Sequence, residues 1–180
     1  MTSNSTGAVL LAAVFLALGS GLTGPGPVRA QQQVAPDTLR ETFRDWTVQC
    51  ETPGDAPRVC EMLQQVDHPE SSGSVLLFSM RYDAEDRLIG VLIAPFGLRL
   101  SEGVQIRSGD TILGRYGFET CLSTGCVIIA PFDGDAVATM RAALDGQVRA
   151  VTRGGEDFAI PVSFRGFSAA LDRLRALSGA

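Results

Sequence analysis

The residues that could do chemistry in this chain are few, and their spacing narrows what each can do. Four cysteines stand at positions 50, 60, 121 and 126. Cys121 and Cys126 bracket L-S-T-G, a four-residue spacer between two short apolar runs. Ser123, Thr124 and Gly125 are turn formers, so the pair reads as the mouth of a β-hairpin, with side chains close enough to join. Catalytic dithiols usually read C-x-x-C, so a structural staple is the better reading than a redox pair. Cys50 and Cys60 fall on the apolar faces of successive strand patterns and form the other natural pair. An even cysteine count points to an oxidising compartment.

The remaining polar chemistry is sparse. His68 is the one histidine, in a loop with Asp67 and Glu70. Together they offer a weak metal or proton site, or simply a solvated polar loop, and they are the candidate binding loop. Asp83, Glu85 and Asp86 are the densest acidic cluster. Two carboxylates held at a fixed separation can hydrolyse glycosides, which makes a carboxylate-dependent periplasmic hydrolase the alternative reading. The same cluster also suits a solvated hairpin turn. All fifteen basic residues are arginine. Without lysine there is no Walker A phosphate loop, no Schiff base and no pyridoxal chemistry. No cofactor or metal set is legible, and no catalytic residue is assigned. Asp133 and Asp135 lack the further ligands and closing glutamate of an EF-hand, so they read as a helix N-terminus.

Elements that would position these groups follow from periodicity. Ala8 to Leu18 is an unbroken apolar run. Eleven helical residues reach about 16 Å, short of the roughly 30 Å of a bilayer core. V-R-A-Q follows at residues 28–31, so residues 1–30 read as a signal peptide cut after Ala30, leaving no transmembrane segment in the mature chain, with retention as an uncleaved anchor the alternative. About 150 residues remain, enough for one domain with a real core. Losing Arg29 takes the formal charge from −5 to −6, which argues against nucleic acid and anionic membranes. Residues 31–42 read as a flexible leader and 43–178 as a single domain.

Within that domain, period-two alternation predicts about nine short strands. The first spans 43–51, the second 58–66 and the third 75–82. Leu88 to Ile93 is apolar throughout, as expected of a central strand buried on both faces. Short strands carry Leu98/Leu100 and Val104/Ile106. Asp157 to Phe164 alternates, with Pro161 marking an edge or bulge. Val137, Met140 and Leu144 predict a helix closed by Gly146, and Phe167 to Leu177 a second. The sum is an all-β, antiparallel β-sandwich with two short helices, stapled by disulfides.

Several segments resemble, in order and spacing, the invasion-associated locus B family of alphaproteobacteria. They are W-T-V-Q-C at 46–50 with C-E-M-L-Q-Q at 60–65, G-L-R-L-S-E-G-V-Q-I at 97–106, C-L-S-T-G-C at 121–126 and I-P-V-S-F-R-G-F-S-A-A-L at 160–171. Phe164 stands where the family commonly has leucine. The resemblance covers nearly all of the expected mature chain. It implies an exported, immunoglobulin-like β-sandwich of the cell envelope, linked in some pathogens to host-cell entry, with no catalytic residues to carry over. The expected partner is an unidentified envelope or host protein, and the expected location the periplasm, envelope or exterior.

Overall fold

Among the described residues, eleven antiparallel strands build two facing sheets, with the apolar faces predicted from alternation turned toward each other. The computed structural model describes residues 38–54, 56–67 and 74–179. The expected signal peptide and its cleavage site lie outside them.

The larger sheet starts with β1 (Thr38–Phe43) and β2 (Trp46–Glu51), joined by the tight turn Arg44–Asp45. It continues through β3 (Val59–Asp67), β4 (Ser74–Tyr82) and β5 (Leu88–Ala94). The chain then leaves for the smaller sheet, forming β6 (Val104–Ser108) and β7 (Thr111–Tyr116). It returns as the hairpin β8 (Phe118–Leu122) and β9 (Gly125–Phe132), with β9 against β5. Helix α1 (Gly134–Ala142) leads to β10 (Asp145–Val151) and β11 (Asp157–Ser163), and α2 (Phe167–Ser178) follows. The sheet orders are β1-β2-β3-β4-β5-β9-β8 and β11-β10-β6-β7.

Both disulfides form as paired in the sequence reading. Cys50 faces Cys60 directly across β2 and β3, and Cys121 faces Cys126 across β8 and β9. Between the sheets, Trp46, Phe78 and Phe167 are fully buried, with edge-on contacts of Trp46 to both phenylalanines. Tyr116 of the smaller sheet meets Phe132 edge-on and donates its hydroxyl to the Pro131 carbonyl at 3.0 Å. Helix α2 closes one end with Phe167, Ala170, Leu171 and Leu174, the stripe predicted for it. Pro161 sits on the edge strand β11, where a missing donor is tolerated.

Four expectations need correction. Strand β1 occupies 38–43, most of it assigned to the leader. The turn that separates it from β2 carries no glycine or asparagine, although Arg44 takes a positive φ of 56°. Helix α1 stops at Ala142, leaving Leu144 63% exposed, and Gly146 belongs to β10. That glycine serves close approach: a Cβ there would lie 2.8 Å from the Phe164 ring. Leu98 makes an isolated bridge to Thr152, and Leu100 opens a 3-10 turn where a strand was expected. Finally, β5 is central, but only one of its faces is fully buried. Asp133 does cap α1, accepting from the Ala136 amide at 2.8 Å.

Candidate functional site

Asp67 ends β3, just past an irregularity in its pairing with β4. It is exposed and accepts from Gln65 Nε2 at 2.9 Å. It stands at the lip of a cleft of about 560 Å³ where the end of β3 meets the edge strand β11 of the smaller sheet. Asp45, Asp145, Ser163 and Arg165 also line this cleft. Its floor is Gln64, a buried polar side chain with every partner in place. Gln64 Nε2 donates to the carbonyls of Asp45 and Ser163, and its Oε1 accepts from the Ser163 amide at 2.8 Å. Ser163 Oγ donates to Asp45 Oδ2 at 2.6 Å and accepts from the Arg165 amide. These groups are spent on each other, so the cleft floor ties β3 to β11. Of the candidate loop only Asp67 can be placed; His68 and Glu70 lie outside the described residues.

The acidic cluster is a hairpin turn between β4 and β5. Asp83 accepts from the amides of Glu85 and Arg87 and from Arg87 Nε, the last at 2.8 Å. Arg87 also pairs with Glu85 at 3.1 Å. The Arg87 hydrogen bond holds the Asp83 carboxyl below its ordinary value. A general acid needs the opposite shift. Asp86 occupies the left-handed position of the turn at φ 59°. The three acids therefore shape and solvate a turn, and the cleft beside them is lined by Asp83 alone among carboxylates. Among the described residues no group of three His, Cys, Asp or Glu side chains could hold a metal ion. All four cysteines are in disulfides.

One feature escaped the sequence reading. The inner face of the large sheet carries Trp46, Phe78 and Phe132, and α2 and the smaller sheet both lie on that side. The opposite face is apolar too. Leu63, Leu77, Ile89, Val91, Ile93 and Val127 are only partly buried there, and Ile129 is 42% exposed. The register aligns them across neighbouring strands: Leu63, Ser79, Val91 and Ile129 form one row, and Leu77, Ile93 and Val127 the next. The signal was present in the unbroken run Leu88 to Ile93. Such a run cannot say whether a second layer covers its other face.

Fold and surface together define a disulfide-stapled, two-sheet β-sandwich with an apolar row on the outward face of its larger sheet. The family model described as invasion associated locus B (IalB) protein matches residues 46–175. The chain belongs to that family. An invasion protein B homolog of Brucella abortus is 35% identical over 142 residues, covering 78% of this chain and 82% of the relative. Invasion protein B of Bartonella bacilliformis is 31% identical over 144 residues, covering 78% and 76%. The crystal structure of invasion associated protein B from Bartonella henselae is similar with a TM-score of 0.71 at 29% identity, covering 78% of this chain and 97% of that one.

Proposed function

We propose that this chain is an exported, non-catalytic binding module of the cell envelope whose partner is another protein, of the envelope or of a host cell. The observation that carries this reading is the outward apolar face of the large sheet. A face of this kind marks an interaction site more often than a scattering of exposed leucines does. The formal charge of −5 disfavours an anionic lipid surface as its occupant. The rim is uncharged or acidic along β2 and β3, with Thr47, Gln49, Glu61 and Gln65, while Arg81 on β4 adds one positive group. Such a neutral centre with a mixed rim suits a protein surface. Export is supported by the apolar N-terminal run and the two disulfides, and the names of the relatives support a link to invasion.

The test compares the oxidised protein with a Val91→Lys, Ile129→Lys variant on identical beads incubated with envelope extract and with host-cell membrane protein. A partner retained by the wild type and lost by the folded variant supports the reading. Equal recovery by both, or turnover of an esterase, glycosidase or peptidase substrate that survives purification, overturns it.

A further inference from the structure

The turn of the β8–β9 hairpin packs against the end of β5. Gly125 holds a φ of 146° there, and a Cβ on it would lie 2.5 Å from the Ala94 carbonyl oxygen and 2.7 Å from Ile93 Cγ2. Only a residue without a side chain lets the turn come this close. The Cys121–Cys126 bridge closes the loop that carries Ser123 and Thr124, so the turn is held in place by a covalent bond. Thr124, exposed in that turn, lines one side of a cleft of about 250 Å³. Gln65, Leu77 and Ile93 also line it, and they stand opposite one another across β3, β4 and β5. The cleft is therefore the end of the outward apolar row, with Val75 and Pro95 extending it along β4 and past β5.

Size and charge say what it takes. Pockets for whole small molecules run to roughly 300–1,000 Å³, so this one is on the scale of a side chain. Its described lining is aliphatic apart from Gln65 and Thr124, and it carries no charged side chain. The clefts elsewhere differ: the largest opening on the smaller sheet is lined by Glu102, Arg115, Arg149 and Asp157. A charged group entering between Leu77 and Ile93 would give up water and meet no opposite charge among the described residues. An apolar group would cover Val75, Leu77 and Ile93, all of them only partly buried in the domain.

We propose that this cleft is the anchor point of the outward face and seats one aliphatic or aromatic side chain of the protein partner. The inference rests on the reading of that face as a protein-docking surface and adds where on it the binding energy concentrates. Interfaces draw most of their energy from a few apolar side chains seated in pockets. A wall already fixed by a disulfide needs little ordering when the partner arrives.

The experiment titrates the oxidised protein, labelled at Ile, Leu and Val methyl groups, with N-acetyl-phenylalaninamide and, separately, with N-acetyl-lysinamide. Saturable shifts are expected at Val75, Leu77 and Ile93 with the phenylalanine amide, and a response about fivefold weaker or less with the lysine amide. Thr124→Trp, which fills the cleft from an exposed turn, should weaken the phenylalanine amide about fivefold or more. Leu144→Lys, which removes an exposed leucine elsewhere, should change it less than twofold. Should Thr124→Trp fail to fold, Val75→Arg replaces it with the same expected loss. The anchor is overturned by the absence of a saturable response, by an equal response to the lysine amide, by shifts centred elsewhere, or by equal effects of Thr124→Trp and Leu144→Lys. The bead comparison separates the two readings. A partner lost by the Val91→Lys, Ile129→Lys variant and kept by Thr124→Trp overturns the anchor and leaves the docking face standing. A partner kept by both variants overturns the docking face itself.

Discussion

The indole N–H of Trp46 donates to the Ser163 carbonyl at 2.9 Å, joining the two sheets across 117 residues of chain. Gln64 donates to that same oxygen at 3.0 Å and accepts from the Ser163 amide. The seam between the sheets thus runs through one residue of β11 held from two strands of the other layer.

Gln64→Leu should therefore destabilise the domain. The variant keeps the side-chain volume and orphans the Ser163 amide, at an expected cost of about 1–3 kcal/mol. Urea unfolding followed by Trp46 fluorescence checks it. An unchanged midpoint would mean that water satisfies the seam.

Glu41 and Arg173 pair β1 with α2, at 2.6 Å and 2.8 Å between their hydrogen-bonded atoms. The Arg173 hydrogen bond lowers the Glu41 carboxyl below its ordinary 4.5, against a smaller opposing effect of burial. A carboxyl depressed in the folded state adds stability above pH 4.5 and loses it as pH falls through the depressed value. The melting temperature of the wild type should exceed that of Glu41→Gln modestly at pH 7. The gap should close toward pH 3.

Gly90 of β5 sits on the inner face, where a Cβ would come within 2.6 Å of the Phe132 ring and 3.1 Å of Phe78. Gly90→Ala should cost about 1–3 kcal/mol by overpacking. Thermal unfolding reads it, and a neutral result would show that the rings can yield.

The disulfides should differ in how readily they open. Cys50 and Cys60 are 0% and 7% exposed, whereas Cys121 lies exposed on the edge strand β8. Mild reductant followed by alkylation and peptide mapping should find Cys121 and Cys126 labelled first. Removing either bridge should cost roughly 2–3 kcal/mol by the loop-entropy relation.

Ile129→Lys should leave stability within about 0.5 kcal/mol, because the side chain is already 42% exposed. Chemical denaturation checks this. A larger loss would mean that the outward face is stabilised by packing within the domain.

The sheets, the bridges and the helix stripe of α2 were legible because alternation and turn residues report the inner face directly. Arg44 hid a hairpin, since an arginine at positive φ carries no turn signature. Leu144 extended α1 in the sequence because spacing alone cannot see that the helix has already ended at Ala142. The exposure of the outward apolar row was hidden for a different reason: Val91 and Ile129 look the same in sequence whether a second layer covers them or solvent does.

Cys50 and Cys60 meet only when β2 and β3 are paired in their native alignment. A slip by one residue turns one thiol to the other face of the sheet, out of bonding range. Oxidation of this pair therefore locks the β2–β3 register: the bond closes on the native alignment and not on one displaced by a residue.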